Sequence, residues 1–177
     1  MTTIKNMILF ATAILCLVAC DKRTSMLNDI NKMEKALLAN ITNIDKVKAQ
    51  DLIKKSQEYA LAYPTDSTSA RVLFKAADLA RGIGDFPSAM KMWNEVQANF
   101  PQSKYAAESL FLEGFTYEND LQNKEKAIDC YMNFINAYPN HDLANDASMA
   151  LKNINTPVED LVKQFEEKNK AEIDAAK

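Results

Sequence analysis

Between residues 70 and 139 the chain carries the same pattern twice, and this duplication limits the available folds more than any other feature. Ala89, Trp93, Val96, Phe100 and Pro101 recur 38 positions later as Ala127, Tyr131, Phe134, Tyr138 and Pro139. Upstream, Ala70, Leu73, Phe74, Ala77 and Ala80 are answered 37 positions on by Ala107, Leu110, Phe111, Gly114 and Tyr117. Steps of three and four residues put each set on one face of a helix. Two helices per unit, at a period in the thirties, predict an array of helical hairpins that bury their apolar faces against one another. No period-two alternation appears, and the three glycines suit helix ends and one close helix crossing. The expected fold class is all-α.

Turn residues set the expected limits of each helix. Gly82, Gly84 and Asp85 read as a stop followed by an N-cap, and Pro87 falls in a first turn, where its missing N–H costs little. Helices are therefore predicted over 68–83, from Asp85 to 99, from Ser103 to 119, over 124–138 and over 143–154. Ala144, Ala147, Leu151 and Ile154 begin a third copy of the first-helix pattern. Leu52, Ser56, Tyr59, Tyr63 and Pro64 stand 37 positions before the Ala89 set, so residues 26–64 read as a worn first hairpin. Leu27, Ile30, Leu37, Ile41 and Ile44 also allow a coiled coil, with self-association through the N-terminal helix. Residues 65–155 form the main array. Thr156, Pro157 and Glu159 have the spacing of a capping box, and Val158, Leu161, Val162 and Phe165 would make one face of a capping helix before a charged tail ending at Lys177.

Residues 1–19 read as an address rather than as part of the fold. A single early charge, Lys5, precedes an apolar run over 7–19, which is too short to span a bilayer comfortably. The run ends in Leu17-Val18-Ala19-Cys20, which resembles the lipobox of bacterial lipoproteins. That resemblance implies cleavage before Cys20 and acylation of its thiol, with residues 20–25 as a short tether. Acyl chains inserted in a bilayer would hold the chain at a membrane surface, the outer membrane of a Gram-negative envelope being favoured over the inner, with the domain facing the periplasm. Cys16 would leave with the signal and Cys20 would be lipidated. Cys130 is then left without an intramolecular disulfide partner.

The paired phrases also resemble the tetratricopeptide repeat. Small residues at the helix crossings (Ala77 and Gly114, Ala89 and Ala127), aromatic residues between them (Trp93 and Tyr131) and the closing prolines (Pro101 and Pro139) carry the likeness. The phrases Asn-Phe-Pro-Gln-Ser-Lys-Tyr-Ala-Ala-Glu and Ala-Tyr-Pro-Asn-His-Asp-Leu-Ala are similar to a subclass found in two settings. One is the repeat-containing lipoprotein of the outer-membrane β-barrel assembly machinery, and the other is the periplasmic partner of the Tol–Pal system. The resemblance implies a right-handed solenoid of antiparallel helix pairs, about seven or eight helices in all. It implies an interaction scaffold in a cell-envelope complex, in outer-membrane protein assembly or, alternatively, in Tol–Pal, cell-division or peptidoglycan-linked work. First helices of such repeats line a concave face. The corresponding residues are Arg71, Phe74, Asp78 and Arg81, then Glu108, Phe111, Phe115 and Glu118, a mix of rings and charges suited to an extended or helical peptide. These rings are equally read as packing between repeats.

Other chemistries find little support. The formal charge of −3 is spread along the chain, so no basic footprint for nucleic acid is present. Trp93 and Tyr131 are expected in the core. Cys130 reads as an inert buried thiol, and His141, the single histidine, has no third group fixed by spacing to make a catalytic set. Phosphate loops, paired metal-ligand motifs and serine elbows are missing from the sequence. No catalytic residue, metal or cofactor is expected, and the partners anticipated are envelope proteins or peptide segments.

Overall fold

The computed structural model describes residues 22–39 and 44–157, with Asp160, Lys163, Glu166, Glu167 and Lys170. Residues 1–19, expected as a signal, Cys20, residues 40–43, and Val158, Glu159, Leu161, Val162 and Phe165 lie outside the described residues. Among the described residues the chain is helical with no strand: α1 (22–38), α2 (Lys46–Ala62), α3 (Ser67–Gly82), α4 (Phe86–Asn99), α5 (Lys104–Asn119), α6 (Lys124–Ala137) and α7 (Ala144–Asn153). The fold is the helical-repeat class expected, and α3 to α7 begin and end within two residues of the limits read from the turn signals. Two compact units divide the chain, Met1–Ala106 and Ala107–Lys177.

Proline punctuation explains why α2, α4 and α6 stop where they do. Pro64, Pro101 and Pro139 disfavour helical backbone in the residue before them. Tyr63, Phe100 and Tyr138 accordingly leave the helix with φ/ψ of −131/62°, −132/50° and −131/54°. Each still donates its N–H to the carbonyl four residues back, at 2.9, 2.9 and 2.8 Å. Three residues on, Asp66, Ser103 and His141 occupy equivalent places. Their side chains accept the N–H of Thr68 (2.9 Å), Tyr105 (3.3 Å) and Leu143 (3.2 Å). Carboxylate, hydroxyl and imidazole thus do one job, which is to satisfy an N–H left over at a helix start. The recurrence of the same bonds from residue 63 onward shows that the turn closing α2 is built like the later two.

The turns inside each pair differ by one residue and solve the reversal differently. Gly84, at φ 85°, supplies the left-handed residue between α3 and α4, whereas Gly82 is simply the last residue of α3. Asp85 then accepts Ser88 N–H at 3.2 Å, with Pro87 in the first turn of α4. Between α5 and α6 the left-handed residue is Gln122, φ 52°, and Asn123 accepts Lys126 N–H at 3.1 Å. Thr156 is described, whereas Glu159, the other half of the expected capping box, lies outside the described residues. The Thr156 hydroxyl donates back to the Lys152 carbonyl at 3.2 Å, closing the end of α7.

In the first unit Ile30, Leu52, Tyr59 and Val72 form one buried cluster. Ala70, Ala77, Ala80 and Ala89 are fully buried, so α3 and α4 meet over small side chains with Trp93 fully enclosed. In the second unit Ala107, Ala127, Tyr131, Phe134, Ala147 and Ile154 are buried together. Gly114 marks a close approach there. A Cβ built on it would stand 2.9 Å from Tyr131 Cε1 and 3.1 Å from Cys130 Cβ. Burying rings of this size contributes about 1.5–3 kcal/mol each, so these stripes supply most of the drive to pair the helices.

Candidate partner-binding faces

On α3, Arg71, Phe74, Asp78 and Arg81 follow one another at three- and four-residue steps, which places them on adjoining turns of one side. Arg71 is half-buried, and α1 takes its charge. Its guanidinium lies 4.0 Å from the Glu34 carboxylate and donates to Asn31 Oδ1 at 3.4 Å. Lys75 pairs with the same Glu34. Phe74 packs its ring 5.1 Å from that of Tyr105. Asp78 reaches solvent at the lip of a cleft of about 350 Å³. Crowding by surrounding protein raises its carboxyl above the ordinary value, against the pull of the Arg81 charge.

A second polar cluster in this unit went unread in the sequence. Asp66 caps α3 and also accepts the Tyr59 hydroxyl at 2.8 Å and Arg23 Nε, so α1, α2 and α3 meet at one carboxylate. The Arg23 bond above all holds the Asp66 carboxyl well below the usual range. Nothing in local spacing links Asp66 to Arg23, 43 residues away.

The second unit places Glu108, Phe111, Phe115 and Glu118 along α5, all half-buried. Phe111 packs between Tyr131 and Phe134, with both ring centroids 5.7 Å away. Glu118 accepts the Tyr131 hydroxyl at 2.8 Å, so its charge is already engaged. Burial, reinforced by that carboxylate, lifts the Tyr131 phenol far above its ordinary pKa. Glu113, Ser109 and Thr116 are buried on the same helix, a polar strip that the apolar pattern of the sequence did not announce.

Reactive side chains in this unit are held in structural roles. Burial, with the negative charges of Glu113 and Asp129, pushes the Cys130 thiol up to about 12, so it is protonated near neutral pH. His141 accepts the Leu143 N–H in the turn before α7 and meets the Phe134 ring edge-on at 5.5 Å. Among the described residues no group of three His, Cys, Asp or Glu side chains could hold a metal ion. No helix among them is long and apolar enough to cross a membrane.

Residues 71–103 and 108–141 match the family model of the tetratricopeptide repeat. Each match ends on the third residue of the turn after a closing helix, Ser103 or His141, and each falls within one unit. The repeats therefore correspond to the two copies of the sequence phrase. Their presence suggests a protein-interaction scaffold and points to protein partners in general, and such repeats are typically not enzymes. No curated protein matches the chain.

Proposed function

We propose that this chain is a membrane-anchored, periplasm-facing lipoprotein whose tetratricopeptide repeats scaffold a cell-envelope complex, with outer-membrane protein assembly as the favoured setting. The observation that carries the scaffold reading is the pair of matched repeats, each presenting half-buried rings among charges on its first helix. The Leu17-Val18-Ala19-Cys20 phrase after an apolar run supports the anchor. In this reading Cys20 carries the lipid, and the outer membrane is favoured over the inner.

Crosslinking in intact cells followed by capture of the tagged chain tests the setting. Recovery of barrel-assembly components supports the proposal. Recovery of Tol–Pal components or peptidoglycan enzymes replaces the setting with the second one that the same phrases resemble, and self-crosslinks alone overturn the scaffold. Glu108→Lys should weaken capture at unchanged thermal stability. Phe111→Ala should lower stability, because its ring packs on Tyr131 and Phe134. The anchor is tested separately: Cys20→Ala should release the chain from the membrane fraction and abolish fatty-acid labelling.

A further inference from the structure

The inner stripe of α1 is committed to the fold. Ile30 is buried with Leu52, Tyr59 and Val72, and Met26, Leu27, Met33 and Leu37 pack on the same cluster. Arg23 bonds Asp66, and Glu34 faces Arg71 and Lys75, so the charges on that side are paired as well. The opposite stripe is a different surface. Ser25, Asn28, Lys32, Lys35 and Ala39 follow one another at three- and four-residue steps, and all are exposed. Lys32 and Lys35 are the only charges on it, and neither makes an ion pair with a described residue.

The balance of charge shifts along the chain in the same sense. Residues 22–65 carry eight Lys and Arg against five Asp and Glu, whereas residues 66–157 carry eight against twelve. The cationic excess therefore lies in the stretch that begins two residues after Cys20. A span of two residues reaches no farther than about 7 Å. An acyl group on Cys20 would hold the first turn of α1 in the layer of lipid headgroups. With the inner stripe turned to α2 and α3, the outer stripe is the side of α1 left to meet that layer. A charge asymmetry beside a membrane tether marks a headgroup-binding surface, and each Lys close to anionic headgroups strengthens attachment roughly fivefold.

We propose that the outer face of α1, centred on Lys32 and Lys35, docks on anionic phospholipid headgroups and lays the helix along the membrane surface. The lipid on Cys20 fixes one end of α1. The two lysines, roughly 15–20 Å further along the axis, fix the other. One attachment leaves the domain free to swing, whereas two set its orientation over the bilayer. The inference rests on the lipoprotein reading and deepens it by assigning the face that meets the membrane.

The test uses the chain from residue 20 onward with Cys20→Ser, which keeps every described residue and carries no acyl group. It is floated with vesicles of phosphatidylcholine alone, or of equimolar phosphatidylcholine and phosphatidylglycerol. Partition onto the anionic vesicles should be stronger by roughly tenfold or more, and added salt should erase the difference. Lys32→Glu/Lys35→Glu should abolish the preference. Lys124→Glu/Lys152→Glu, the same change of charge on α6 and α7, should leave it in place. If the α1 variant melts less cooperatively than the native chain, Lys32→Gln/Lys35→Gln takes its place and should lower the preference roughly fivefold or more. Equal partition onto the two kinds of vesicle overturns the proposal, as does an equal loss from both charge-reversed pairs. Binding of soluble heparin without binding of anionic vesicles also overturns it, by giving the face to an acidic polymer. No acyl group is present in this experiment, so its failure is separate from failure of the fatty-acid labelling that tests the anchor.

Discussion

Gly114→Ala tests a place where two helices meet with no room for a methyl group. The added Cβ would lie 2.9 and 3.0 Å from Tyr131 Cε1 and Cδ1 and 3.1 Å from Cys130 Cβ. Relief would require the Tyr131 ring to move. That ring is 1% exposed, donates to Glu118 at 2.8 Å and has Phe111 at 5.7 Å, so it has no free direction. Overpacking of this kind costs about 1–3 kcal/mol, opposed by roughly 1 kcal/mol of helix propensity gained when alanine replaces glycine. The net expectation is a loss of about 1–2 kcal/mol. At about 2–4 °C per kcal/mol for a chain of this size, Tm should fall by several degrees, and amide exchange in α5 should quicken. A second background gives the decisive comparison. In Tyr131→Leu the ring is gone, and Gly114→Ala should cost nothing or stabilise by about 1 kcal/mol, a coupling of roughly 2 kcal/mol between neighbours. A stabilised single variant, or the same change in both backgrounds, would refute the account of close approach. Ala77, the equivalent residue in the first repeat, is fully buried, so that crossing accommodates a methyl group where the second does not.

Other outcomes follow from the turns and the buried hydroxyls. Gly84→Ala should lose about 1–2 kcal/mol in urea unfolding, because Gly84 sits at φ 85°. Gly82→Ala, with nothing within 4 Å of its new Cβ, should gain up to about 1 kcal/mol. Asp66→Ala should lose about 2 kcal/mol, roughly 1 from the cap and roughly 1 from the stranded Tyr59 hydroxyl. The Asp66 carboxyl is held below its ordinary value, so its contribution is present above about pH 4 and disappears as pH falls below that range. Urea midpoints between pH 3 and 7 should therefore vary less in the alanine variant. Tyr131 is shifted the other way, from its ordinary 10.0 upward. Its contribution is intact below about pH 10 and lost as pH rises beyond. The Tyr59 phenol is also raised, by burial and its bond to Asp66, so tyrosinate absorbance should show a late-ionising class of phenols that Tyr131→Phe diminishes without abolishing.

Helix positions were legible because their causes are local. Prolines 64, 101 and 139 forced three near-identical exits, and Asp85 and Ser103 started helices through side chains in the sequence neighbourhood. Apolar stripes fixed which faces were buried, Trp93 and Tyr131 included. Pairings across long separations were not legible. Arg23 with Asp66, and Glu34 with Arg71 and Lys75, join distant parts of the chain and leave no periodic trace. The bond from the Thr156 hydroxyl back to the Lys152 carbonyl was also not read, because a threonine at a helix junction can bond backward as well as cap forward. The left-handed Gln122 likewise occupies a conformation whose usual marker is glycine or asparagine.

The eight residues chosen as a binding face show how much such a face is shared with the fold itself. Phe74 and Phe111 have ring neighbours inside their own units, so truncating them tests packing before recognition. Arg71 and Glu118 are committed to Glu34 and Tyr131, so a partner using either must first break an in-chain bond. The two commitments differ in kind. Glu118 satisfies a hydroxyl whose ring is buried, and freeing it would leave that group unpaired in the interior. Arg71 pairs at 4.0 Å with side chains 28% and 21% exposed, where water and salt can substitute. Exchange of partners is therefore cheap on α3 and costly on α5. Salt should discriminate between them: binding through Arg71 should weaken steeply with ionic strength, whereas a contact made over the ring of Phe115 alone should respond little.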